Sequence, residues 1–230
     1  MMVGGQAADP AWSTVVNLSH FDGANGSSTF TNSSTSGASA FTQAISTDVL
    51  STTQFVFGTA SLRRGSSGTC VATQAETYYQ FGTNDFTVEF RFRPDTVQTA
   101  NIFDMRVAAG GSTAAPTIYT LSNGTIVYFH NGADRITSST GVITATTWAA
   151  IALSRVSGTT RLFVNGNQVG SSYADGTNYN VSARGTCGSY IALPTNAYYD
   201  EVRISNGAYG AGAGRYSGNY TIATAAFPNF

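Results

Sequence analysis

The chain predicts an all-β protein built as a two-sheet antiparallel sandwich, and three stretches of evidence in the residues lead there. From Phe86 to Pro94, Phe86, Val88, Phe90 and Phe92 share one parity while Thr87, Glu89, Arg91 and Arg93 share the other, the period-two pattern of a strand with one face in a core. From Trp148 to Gly170, an apolar strand, a polar Ser157-Gly158-Thr159-Thr160 turn and an aromatic strand ending at Asn165-Gly166 read as an antiparallel meander. Asn-Gly supplies the two positive φ angles of a type I′ turn. Turn residues recur at short spacing, and no capped amphipathic helix or internal repeat is visible.

The elements follow in order. A small-residue arm, residues 1–11, precedes the domain, which is expected to start at Trp12 and run to residue 230. Val15, Val16 and Leu18 read as a first strand, but Asn17 and Ser19 interrupt its apolar face and predict an edge or half-exposed position. Gln43 to Ile45 is a short strand candidate, Arg63 to Gly68 a glycine-rich turn, and the Phe86 strand is closed by Pro94, which cannot donate to a ladder. Further strands are expected at Ala100 to Val107, Thr117 to Ser122 and Thr125 to His130, with Ile136 to Ser139 and Val142 to Thr144 leading into the meander. Trp148, Ala150 and Ala152 alternate with Ala149, Ile151 and Leu153, so this strand is expected to be covered on both faces. Trp148 is read as a core aromatic, whose truncation would cost about 3 to 5 kcal/mol. A polar loop, Ser171 to Arg184, then leads to strands at Tyr190 to Leu193 and Tyr198 to Ile204.

Composition narrows the function classes. Of 230 residues, 42% are hydrophobic, and 14 Phe with 12 Tyr are ample for a two-sheet core. Charged residues are only 10%, so the exposed positions fall to Ser, Thr, Asn and Gly. The net charge is −1 and the eleven basic residues, all Arg, are scattered, which argues against nucleic acid as a partner. No apolar run approaches the roughly 20 residues of a membrane-spanning helix, and MMVGGQAADPAW lacks the regions of a secretory signal, so synthesis in a cytoplasm is expected and no membrane partner. Cys70 and Cys187 have no metal-ligand spacing, and whether they are bridged stays open.

The motifs agree in order with one family. DPAWSTVVNLSHFDGANGSSTFTNSS, the Phe-Gly-x-x-Ser-Leu segment Phe57 to Leu62, the Phe86 to Pro94 strand, Asp200-Glu201-Val202-Arg203-Ile204 and the tail containing Gly214-Arg215-Tyr216 and Phe227-Pro228 resemble laminin G-like domains of tailed-phage virion proteins. These are jelly-roll sandwiches of the concanavalin A-like lectin/glucanase fold. The chain departs from them at Arg63-Arg64, where an apolar-aromatic pair is usual, and in an Ala/Gly-rich insertion, Ala208 to Gly214, within a tail (208–230) that the resemblance implies wraps back along the domain.

For chemistry, a glycosidase of this fold needs two carboxylates flanking the scissile bond. The three Glu, namely Glu76, Glu89 and Glu201, lie on separate segments, Glu89 is better placed for an ion pair, and His20 and His130 stand isolated, so no enzyme is expected. The resemblance implies a structural Ca²⁺ between Asp22 and Asp200; the other reading is that both cap turns. Tyr173, Asp175, Asn178 and Tyr179 form a candidate glycan-binding face, as do Tyr198-Tyr199, against the alternative that these tyrosines pack on the sandwich.

The function implied is that of a non-enzymatic protein on a virion surface, a capsid decoration or knob protein with weak adhesion to host glycans. A tail-fibre tip or carbohydrate-binding module is the alternative. Partners would be other virion proteins and further copies of the chain, most naturally in a trimer, docked through residues 1–10 and the tail from Tyr216 onward.

Overall fold

The structure, a computed structural model, describes residues 7–43, 46–65, 71–107, 114–188 and 196–230. Among them the chain forms β1 (Val15–Ser19), β2 (Val49–Ser51), β3 (Ser61–Arg64), β4 (Val71–Ala72), β5 (Phe86–Pro94), β6 (Ala100–Asp104), β7 (Thr117–Thr120), β8 (Ile126–His130), β9 (Ala133–Thr137), β10 (Ala149–Val156), β11 (Thr159–Val164), β12 (Asn167–Ala174), β13 (Thr186–Cys187) and β14 (Ala197–Asn206). No α-helix occurs among the described residues. The larger sheet runs β12-β11-β10-β5-β14-β3-β2 with β1 on β14, and the smaller β4-β13-β6-β7-β8-β9. Every pairing is antiparallel. This is the sandwich that the sequence predicts.

The Phe86 parity faces the core as expected: Phe86, Val88 and Phe92 are fully buried, and Phe90 stacks on Phe103 of the facing sheet at 5.4 Å between ring centres. Aromatic pairs of this kind add to the burial of their area, and they hold the two sheets in register. The meander is also as read, with Asn165 and Gly166 at φ 51° and 78°. A Cβ on Gly166 would collide with the carbonyl oxygen of Tyr220, so the turn and the tail both require glycine there.

The tail explains why β10 is apolar on both parities. Ile151 and Leu153 enter the core, while the outer face of the sheet lies beneath residues 213–227. Tyr216 and Tyr220 stack at 3.6 Å and both pack edge-on against Phe163. Arg91 donates to the carbonyl of Ala223, and Tyr220 N–H to that of Gly166. Glu201, at φ 51° in a bulge of β14, is aimed at the tail, where it accepts from Phe227 N–H at 2.7 Å.

Several expectations need correction. β1 is an edge strand, yet all five of its residues are buried, because Asn32, Ser34 and Ser36 donate to the carbonyl of Val16 and cover its open side. Arg63 and Arg64 end a strand instead of forming a turn, and the loop expected from Ser171 begins as the last part of β12. Trp148 stands ahead of β10 and is half-buried against Tyr198, so it is no core residue. The stretch from residue 1 to 10 is not a free arm throughout: Asp9 is 7% exposed and ion-paired to Arg203 and Arg215, both at 2.9 Å, and its N–H donates to the carbonyl of Phe230. The strand expected at Tyr190 to Leu193 and the Cys70 half of the disulfide question lie outside the described residues.

Candidate functional site

Of the expected glycan-binding residues, Tyr173 is half-buried and Asn178 exposed, but Asp175 and Tyr179 are only 1% and 2% exposed. Tyr179 donates to Asp175 Oδ2 at 2.6 Å, Thr160 donates to the same oxygen at 2.7 Å, and Tyr128 meets Tyr179 hydroxyl to hydroxyl at 2.6 Å. Burial alone would raise the Asp175 carboxyl, but the hydroxyls of Tyr179, Thr160 and Thr177 hold it below its ordinary value. The loop therefore turns its chemistry inward, where unpaired polar groups would be costly, and offers no four-residue binding face. Tyr199 is likewise interior, donating to the carbonyl of Ile102, whereas Tyr198 is half-exposed.

Asp22 and Asp200 do converge, on one loop. Asp200 Oδ2 accepts from the N–H groups of Val56 and Phe57, and Asp22 Oδ1 from those of Thr59 and Ala60 and from the Thr59 hydroxyl. Both cap the segment between β2 and β3. Among the described residues no three His, Cys, Asp or Glu side chains come together as a metal site; Asp200 Oδ1 is buried without a hydrogen-bond partner, so a calcium ion there would take that oxygen and draw its remaining ligands from backbone carbonyls. Burial pushes the Asp200 carboxyl up to about 7, partly offset by the two N–H groups that it accepts.

The three glutamates are committed to structure. Glu76 accepts from Ser39 N–H, Glu89 from Arg203 and Tyr216, and Glu201 from Phe227 N–H while it pairs with His20 at 2.7 Å. His20 is thus not isolated. His130 meets the Thr177 hydroxyl at 3.1 Å.

An open groove of about 250 Å³ crosses the outer face of the smaller sheet, lined by Thr99, Asn101, Arg106, Thr117, Tyr119, Phe129 and Asp134. Strand register assembles it: Asn101 lies opposite Tyr119, Thr117 opposite Phe129, and Phe129 opposite Asp134. Their neighbours Ile118 and Tyr128 point the other way into the core. Tyr119 and Phe129 give the groove two half-exposed aromatic faces. Arg106 is clamped by both oxygens of buried Asp104 at 2.8 Å each, and Thr117 donates to the same carboxylate at 3.1 Å. A guanidinium held in this fork keeps its other N–H groups in a fixed direction. Tyr119 donates to Asp134 Oδ1 at 2.8 Å, and burial with the Asp134 charge pushes its phenol up to about 12, so it stays a donor at neutral pH.

Sequence reading missed this groove, because its residues come from four strands and an adjoining turn. One signal was available: Ile126-Val127-Tyr128-Phe129 is apolar on both parities, so an aromatic had to stand on the face away from the core.

The family model for laminin G domains, described as the concanavalin A-like lectin/glucanases superfamily, matches residues 64–212. Among solved structures, Trypanosoma rangeli sialidase in complex with sialic acid matches with a TM-score of 0.63 and 16% identity, over 90% of this chain and 32% of that one. The botulinum neurotoxin serotype C1 binding domain matches with a TM-score of 0.58 and 13% identity, over 85% and 49%. A structure of botulinum neurotoxin type C, whose cell entry is described as dependent upon interaction with two ganglioside molecules, matches with a TM-score of 0.60 and 14% identity, over 85% and 48%. The chain spans about a third to a half of the length of these proteins, and at such identities the likeness is one of fold. No curated protein matches it.

Proposed function

The chain belongs to the concanavalin A-like lectin/glucanases superfamily, and from that premise we propose that it is a non-enzymatic surface module that holds glycans in the groove of its smaller sheet. The observation that carries this reading is the pairing of two aromatic faces, Tyr119 and Phe129, with fixed polar groups on Arg106, Asn101 and Asp134 in one open groove. Sugar rings are recognised in this way, by stacking of their C–H faces on aromatics and hydrogen bonding of their hydroxyls at the rim. The volume suits one or two sugar rings and weak binding. Two of the structural neighbours are described with sialic acid and with gangliosides, which supports glycan as the ligand class.

Against hydrolysis stands the state of the carboxylates nearest the groove. Both oxygens of Asp104 are taken by Arg106, and Asp134 lies on the exposed rim, so neither is set as a buried acid beside a free nucleophile. The motif order of the sequence supports a virion setting, and within it a capsid decoration protein docked on other virion proteins, as a homotrimer. A surface with so few charges favours docking by shape and backbone contacts over ion pairs. Cryo-electron microscopy of a particle carrying the protein tests that setting. Glycan-array binding by the purified chain, with Tyr119→Ala and Phe129→Ala as variants, tests the groove: each should lower affinity about tenfold in a protein that stays folded, with a stability loss of about 1 to 2 kcal/mol. Binding unchanged in both variants would refute the assignment.

A further inference from the structure

The tail covers the outer face of the larger sheet only in part. It lies over Glu89, Arg91 and Ala150, and leaves Arg63, Tyr198, Arg93 and Trp148 half-exposed. Strand pairing puts these four side chains in a row. Tyr198 lies opposite Arg63 on β3 and opposite Arg93 on β5, and since Ala149 pairs with Phe92, the preceding Trp148 stands abreast of Arg93. The guanidinium carbons of Arg63 and Arg93 sit 4.6 and 5.6 Å from the centre of the Tyr198 ring, and the Trp148 ring lies 6.5 Å from it.

One carboxylate organises the row. Asp95 meets Arg63 Nη2 at 2.7 Å and Arg93 Nη1 at 3.6 Å, so two positive charges are held together against one negative charge. Stacking on Tyr198 fixes the planes of both guanidiniums. Asp95 engages one nitrogen of each, and the Arg63 and Arg93 side chains keep 25% and 14% of their surface exposed. In a chain of which only 10% is charged, this is a concentrated cationic spot, and its free N–H donors have the planar geometry that a carboxylate or sulfate accepts. Trp148 and Tyr198 flank those donors with aromatic faces. Sugars bearing an acidic group combine an oxyanion for the arginines with a ring to lie against Trp148.

We infer that the uncovered end of the larger sheet's outer face is a binding site for acidic saccharides, separate from the groove of the smaller sheet. The site stands on its own residues and does not depend on the groove. Its affinity weakens with salt, because an exposed charge interaction is screened.

The test is calorimetric titration of the full chain with a galacturonate oligosaccharide and with its methyl ester, which removes the charge and keeps the rings. The acid should bind and the ester should bind at least about tenfold more weakly. Arg63→Gln and Trp148→Ala should each lower affinity for the acid about tenfold, as loss of a charged hydrogen bond or a stacking face does, while Tyr119→Ala leaves it unchanged. Arg93→Gln replaces Arg63→Gln if that variant does not fold. Equal binding of acid and ester, no binding of the acid, or full binding by folded Arg63→Gln and Trp148→Ala proteins would overturn the inference. So would equal affinity for oligothymidylate or phosphatidylglycerol vesicles, since the site would then be selecting charge alone. Loss of acid binding only in Tyr119→Ala would overturn it too, and would move the acidic sugar to the groove.

Discussion

Replacing Glu89 by alanine tests whether the tail is held by a buried charge network. Glu89 is 4% exposed and receives Arg203 Nε and Nη2 at 2.9 and 2.8 Å and the Tyr216 hydroxyl at 2.7 Å. Arg203 also pairs with Asp9, which in turn holds Arg215, so two acids balance two arginines beneath the tail. Burial pulls the Arg203 guanidinium down in pKa, yet Glu89, Tyr216 and Asp9 more than offset it and leave it raised. Removal of Glu89 strands a positive charge and one phenol hydroxyl in a buried site. Breaking a buried pair from one side costs about 3 to 5 kcal/mol. At roughly 2 to 4 °C per kcal/mol for a domain of this size, the melting temperature should fall by roughly 6 to 20 °C. Urea denaturation gives the free energy, and limited chymotrypsin digestion reports whether the bonds after Tyr216 and Tyr220 have become accessible. Glu89→Gln keeps an acceptor for Tyr216 and should lose less. A Glu89→Ala protein that melts within about 2 °C of the parent, with an equally protected tail, would refute the network as the device that holds it.

The same packing yields further expectations. Deletion of residues 1–10 should destabilise the domain by an amount similar to Glu89→Ala, since it removes Asp9; a melting curve like the parent's would contradict the ion pairs described. Trp148→Ala, at a half-exposed position, should cost about 1 to 2 kcal/mol in urea denaturation, against the 3 to 5 kcal/mol expected of a core aromatic and of Phe90→Ala. Gly166→Ala should cost about 2 kcal/mol from the positive φ, and more where the new methyl pushes the Tyr220 carbonyl aside, again read by urea denaturation. Asp200, raised from 3.8 to about 7, binds its proton more tightly when folded, so its contribution to stability is present at acid pH and is lost as pH rises from about 4 to 7. His20, raised by Glu201, acts in the same sense: its contribution is full below its unfolded value of 6.5 and disappears as pH climbs through the higher folded value. Asp200→Asn keeps an acceptor for Val56 and Phe57 and should flatten the stability profile between pH 4 and 7; an unchanged slope would remove Asp200 as its source. Polysaccharide hydrolysis by the purified chain is expected to be absent, and activity lost in Glu89→Gln would reverse that reading.

Local chemistry was enough to specify the sandwich. The period-two run from Phe86 to Phe92 names its own buried face, because successive strand side chains must point to opposite sides, and Asn165-Gly166 names its own turn, because few residue pairs adopt two positive φ angles. The apolar Ala150 and Ala152 parity likewise announced a cover for the outer face of β10, though not which segment supplies it. What only the tertiary structure decided is pairing across the chain. Glu89 meets Arg203 because β5 and β14 are neighbours in register, with a bulge at Asp200 and Glu201 that resets the faces beyond it. Tyr173, Asp175, Asn178 and Tyr179 read as a polar face when only their spacing is known; Asp175 and Tyr179 are interior because Thr160 and Tyr128, on other strands, satisfy their polar atoms there. Both proposed sites are of this second kind. Asn101, Tyr119, Phe129 and Asp134, or Arg63, Tyr198, Arg93 and Trp148, are far apart along the chain, and a sheet gathers them by hydrogen-bond register between strands, which no single strand's sequence contains.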